Sequence, residues 1–159
     1  MNKRKYKYIA LTVLTLIITL FIFGNSFSGF DASHHTSESV SEMILPNKYA
    51  SSEKVLLIIR KSAHLVEYAA LGAAVWMLFN SIARDYGKSF FGTSLFYTLA
   101  VAVADEHIQS YSDRTSSTGD IILDFCGAVI GFFVGWLVIK IYTYIKRRIK
   151  KTDKAGGQS

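Results

Sequence analysis

Apolar residues come in long unbroken runs along this chain, with polar residues confined mostly to short segments between them. A helix that crosses a bilayer needs about 20 mostly apolar residues in succession. Four stretches fit that pattern. The first runs from Tyr8 to Phe23 and continues weakly to Phe27. The second covers about Ser62 to Ala83, the third about Phe90 to Gln109, and the fourth about Ile121 to Ile145. Only Arg84-Asp85-Tyr86-Gly87-Lys88-Ser89 separates the second from the third, which makes them antiparallel neighbours. The pattern predicts an all-α integral membrane bundle of about four transmembrane helices, with the 159 residues forming a single membrane domain.

Segment 24–61 is rich in Ser and Asn and reads as an external loop, with short amphipathic helices near Val40 to Leu45 and Glu53 to Arg60. Residues 152–159 read as a disordered tail. The first run is short, and its basic start also suits a secretory signal. The sequence Gly24-Asn25-Ser26-Phe27 offers no clear small-x-small cleavage site, which favours an uncleaved anchor.

Charge adds orientation. The net charge is +6, and the basic residues cluster at helix ends. Lys3, Arg4, Lys5 and Lys7 precede the first run; Arg84 and Lys88 sit in the short link; Lys140 and the tail from Lys146 to Lys154 close the chain. With both termini cytoplasmic, 13 of the 18 basic residues lie on the inner side, while ten of the 12 acids lie outside or in the outer half of the membrane. The expected location is therefore the cell membrane, multi-pass, with the lipid bilayer as first partner. Basic proteins can bind nucleic acid, but basic clusters at helix ends are explained by topology and anionic lipid, so no nucleic-acid partner is expected. The single cysteine, Cys126, permits no disulfide within the chain and reads as a small packing residue.

Ionisable residues inside the apolar runs change the picture most. Each costs about 2.5–3.5 kcal/mol on insertion scales, so such residues are functional candidates by default. The second helix opens with Lys61, His64, Glu67 and Tyr68 on one stripe; the third ends with Asp105, Glu106, His107 and Gln109; the fourth begins with Asp120 and Asp124 at i and i+4. Arg114 lies in the loop between the last two. The predicted orientation brings all these groups to the outer leaflet. The fourth helix also repeats Gly127, Gly131 and Gly135 every four residues beside Ala128, a spacing that allows close helix approach; Gly72, Ala73 and Ala74 are the expected facing surface.

Three stretches carry a resemblance: Arg60-Lys61-Ser62-Ala63-His64-Leu65-Val66-Glu67-Tyr68; Asp105-Glu106 with Gln109 and then Arg114; and Gly119-Asp120-Ile121-Ile122-Leu123-Asp124 with Gly127. In spacing and order they resemble the VanZ-like family of small bacterial membrane proteins, over about residues 60–140. The family often places histidine just before the glutamine; here Ile108 stands there and the histidine is His107. The resemblance implies a cell-envelope role. The founding members confer low-level resistance to the glycopeptide antibiotic teicoplanin, and the resemblance supplies no assigned reaction.

Several readings of the cluster follow. Lys61, His64, Glu67, Asp105, Glu106, Gln109, Arg114, Asp120 and Asp124 are the candidate binding residues for an envelope lipid, a cell-wall precursor or a lipophilic glycopeptide. Lys61 and Arg114 suit a phosphate or carboxylate, with Tyr68, Phe96 and Tyr111 along an acyl or sugar part. The alternative is a membrane-embedded, metal-dependent enzyme on a lipid-linked substrate, with Glu106, His64 and Asp105 as candidate acid–base groups and a divalent cation held by the carboxylates and His64. Ion or proton movement fits less well, because the polar residues stop in one half of the bundle. The plain reading is an ion-pair and hydrogen-bond network that locks three helices. His34 and His35 read as solvated loop residues. Oligomeric state is left open.

Overall fold

The computed structural model describes residues 3–27, 30–44, 52–111 and 117–156, and among them every regular element is helical. Helix α1 spans Lys3–Phe27, α2 Phe30–Ile44, α3 Glu53–Tyr86, α4 Phe91–Gln109 and α5 Thr118–Gly156.

Three of these are long and apolar enough to cross a bilayer: Arg4–Phe27, Glu53–Tyr86 and Thr118–Ile149. Helix α4, of 19 residues, carries Asp105, Glu106 and His107 near its end, and these acids set it apart from the other three.

The helices extend beyond the apolar runs that define them. The basic segment before Tyr8 is already helical, so α1 begins at Lys3. Segment 24–61 is largely helix rather than loop. The amphipathic stretch near Val40 is the end of the 15-residue α2, with Leu45 outside the described residues. Glu53 to Arg60 is no separate helix but the first turns of the 34-residue α3; no proline or glycine intervenes before Gly72 to stop it. The expected disorder from residue 152 is likewise replaced by helix as far as Gly156, and residues 157–159 lie outside the described chain.

Cross-helix contacts give the directions. Tyr8 hydrogen-bonds Asp85 while Asn25 meets Glu67, so α1 runs antiparallel to α3. Thr19 meets Tyr97 and Ser26 meets Asp105, so α1 is parallel to α4. Helices α3 and α5 are parallel and form the most extensive pairing. Gly127 lies against Leu65, Gly131 against Ala69, and Gly135 against Ala73, a matched step of four residues on both helices. A Cβ at Gly131 would stand 2.0 Å from the Ala69 carbonyl oxygen, and one at Gly72 2.0 Å from that of Ala128. The small-residue repeat is thus a seam within one chain.

At the turn between α3 and α4, Gly87 adopts φ 67° and donates its N–H to Ala83 O at 2.8 Å, the left-handed cap that glycine favours. The core between the helices holds Ile22, Tyr68, Leu71, Val75, Val101, Ala102 and Phe132. Large apolar side chains remain on the outside, among them Ile17, Leu20 and Phe21 of α1 and Phe133, Leu137 and Ile141 of α5. Such broad apolar exposure suits contact with lipid rather than water. Cys126, expected as a packing residue, is exposed on this surface.

Candidate functional site

Turn chemistry and seam register bring the polar residues to one end of the bundle. Ser117 caps α5, its Oγ accepting the Gly119 N–H at 3.2 Å, and Asp120 follows in the first turn. The four-residue seam then sets Asp120 beside Lys61 and Asp124 beside His64. Lys61 Nζ donates to Asp120 Oδ1 at 2.7 Å, with both side chains partly exposed. His64 Nδ1 stands 3.9 Å from Asp124 Oδ1.

Asp105 and Asp124 are almost fully buried, at 0% and 2% exposure. Asp105 accepts from Ser26 Oγ of α1 and from Gln109 Nε2 one turn along α4, the latter at 3.0 Å. Asp124 Oδ1 has no hydrogen-bond partner among the described residues. The fully buried Tyr68 places its hydroxyl in the field of Asp105 and Asp124. Ligand-competent atoms of His64, Asp105 and Asp124 all lie within 4.8 Å of one another.

Around this centre stand bracing contacts. Glu106 turns toward the start of α5, its Oε1 accepting the Ser117 N–H at 2.5 Å; its buried Oε2 has no hydrogen-bond partner among the described residues. Glu67 leaves the stripe it shares in sequence with His64 and faces α1, where Asn25 Nδ2 donates to its Oε1 at 2.8 Å.

A pocket of about 620 Å³ opens beside the cluster, between α2, the end of α1 and the start of α3. Val40, Ile44, Ile58, Ile59 and Val66 give it apolar walls, and Arg60, His64, Glu67 and Asn25 give it a polar side.

Of the nine candidate residues, His64, Asp105, Gln109 and Asp124 are brought into one buried group. Lys61 with Asp120, Glu67 and Glu106 surround it. Arg114 falls outside the described residues. Phe96 and Tyr111 are exposed on the bundle surface and do not line the pocket. His107 is also exposed and contacts Tyr111. Asn25 and Ser26 are contributors that the pattern of charges did not reveal. Their signal is the abrupt polar ending of the first apolar run. The α2 wall is the other.

A family model described as VanZ/LLP1 matches residues 11–140. The chain belongs to the VanZ/LLP1 family. The match extends well before Arg60, so the VanZ/LLP1 region takes in α1 and α2 as well as the three charged stretches. No curated protein and no solved structure matches the chain. Family and apolar helices together mark a membrane protein.

Proposed function

We propose that this VanZ/LLP1 protein crosses the bacterial cell membrane four times, with both termini cytoplasmic, and binds an amphiphilic envelope molecule in the outer half of the bilayer. The ligand class is an envelope lipid, a lipid-linked cell-wall precursor or a lipophilic glycopeptide such as teicoplanin. Up-down alternation of α1, α3, α4 and α5 agrees with four spans, and α4, at 19 residues and about 1.5 Å per residue, is long enough for a thin crossing. The basic ends of α1 and α5 lie at the end of the bundle remote from the carboxylates, which agrees with the positive-inside rule.

One observation carries the binding reading: a pocket of about 620 Å³ with apolar walls and a polar side formed by Arg60, His64, Glu67 and Asn25 with the hydroxyls of α2 and Ser62. That volume lies in the range of about 300–1,000 Å³ typical of small-molecule sites. Apolar walls suit an acyl chain, and the polar side suits the head group.

The test uses protein in nanodiscs with a photoactivatable phospholipid and, separately, a photoactivatable teicoplanin analogue. Cross-links are expected at Ile58, Ile59 and Val66, and Ile59→Trp should reduce labelling by more than about tenfold by filling the pocket. Undiminished labelling of a folded Ile59→Trp protein sinks the reading. Topology is checked in a Cys126→Ser background: a cysteine replacing Ser52 should react from outside, and one replacing Lys146 only after permeabilisation.

A second reading, a membrane-embedded enzyme acting on the same molecules, is favoured by the proximity of His64 to two buried carboxylates. Conversion of a bound lipid-linked substrate, lost in His64→Gln with binding retained, would distinguish catalysis from binding.

A further inference from the structure

We infer that His64, Asp105 and Asp124 form a binding site for one divalent first-row cation of the Zn²⁺ or Mn²⁺ class. The three residues come from α3, α4 and α5, and their ligand atoms converge within 4.8 Å. Donors at about 2.0–2.2 Å from one cation stand roughly 3–4 Å apart. The three atoms therefore form an open cradle that small rotamer changes would close.

Two further observations point to a ligand there. Asp124 is 2% exposed, and its Oδ1 has no hydrogen-bond partner among the described residues. It stands 3.9 Å from His64 Nδ1, too far for a hydrogen bond yet suitable for two donors on a shared cation. Two buried carboxylates this close repel strongly in a low dielectric, and a cation offsets that repulsion. Lys61 does not fill this role, because it is committed to Asp120 at 2.7 Å.

The surroundings suit a metal ligand. Asp105 is oriented by Ser26 and Gln109, as carboxylate ligands commonly are by outer hydrogen bonds. One imidazole with carboxylates favours Zn²⁺ or Mn²⁺ over Mg²⁺, which prefers oxygen and water. Three protein donors leave a position open, and His64 also lines the pocket. A cation there would add to the positive charge that Arg60 already brings to the pocket for an anionic head group. That last step rests on the proposed binding function; the metal site itself does not.

The experiment titrates detergent-purified, EDTA-stripped protein in a Cys126→Ser background with Zn²⁺, Mn²⁺ and Co²⁺, and no amphiphile is added. One ion per chain is expected. Asp124→Asn should weaken binding by more than about tenfold, while Glu38→Gln and Asp85→Asn, outside the cluster, leave it unchanged. His64→Cys should give a thiolate-to-cobalt charge-transfer band that His64→Ser lacks, a signature that a purely structural histidine does not produce. Substoichiometric binding by the parent protein overturns the inference. So does undiminished binding by Asp124→Asn, or absence of the cobalt band in folded His64→Cys. If Asp124→Asn fails to fold, the cobalt band decides. Photolipid capture by stripped protein is a separate readout, so loss of either proposal leaves the other standing.

Discussion

Helix α3 meets α5 from Lys61 to Trp76, and the two ends of that contact are built in different ways. Toward its start, Lys61 and His64 face Asp120 and Asp124. Farther along, Ala69, Gly72 and Ala73 face Gly131, Ala128 and Gly135 with almost no side chain between the backbones. Lipid is as apolar as leucine, so helices in a membrane associate chiefly through close packing. The small-residue half therefore sets the register, and the polar half is carried into position by it. Polar groups held this way can serve chemistry, because cohesion does not depend on all of them.

Substitutions should rank accordingly. The largest effect is expected for Gly131→Leu, whose Cβ would overlap the Ala69 carbonyl at 2.0 Å. Backbone has to move, at a cost above about 3 kcal/mol, and monodisperse protein should be lost on gel filtration. A folded Gly131→Leu protein of normal abundance would break the comparison outright. Asp105→Ala comes next, because it removes a buried acceptor that Ser26 and Gln109 share and leaves them only the Ile22 carbonyl and a long contact with one another. Thermal unfolding in detergent should show a loss of about 2–4 kcal/mol, with Asp105→Asn losing less because an acceptor remains. Glu106→Gln keeps an oxygen for the Ser117 N–H and gives up only its charge, so about 1 kcal/mol is expected in the same assay. The smallest change belongs to Lys61→Met. That pair is 45% and 31% exposed, and such a bridge contributes at most about 1 kcal/mol. If Lys61→Met destabilised more than Gly131→Leu, the polar half would be the one that holds the helices together.

Much of this was legible in the sequence. Residues facing one another across α3 and α5 were visible as small residues at intervals of four, and the polar ends of three helices pointed to one level, where His64, Asp105 and Asp124 meet. Two things were not legible. Loop-like composition in segment 24–61 concealed α2, because Ser- and His-rich segments form helix only when a neighbour covers one face, and α3 does so here. The partner of each acid was also hidden. Glu67 and His64 share a stripe in sequence, yet a modest rotation around α3 sends one to Asn25 and the other to Asp124. Periodicity gives a face about 100° wide, and the choice of neighbour within that width depends on packing.

The buried group draws on α1 through Ser26, α3 through His64, α4 through Asp105 and α5 through Asp124, that is, on four separate helices. No fragment that lacks one of these helices can contain it. Until α5 enters, Asp105 has Ser26 and Gln109 but neither His64–Asp124 geometry nor its charge environment. Docking of α5 against α3 is thus the event that creates the site.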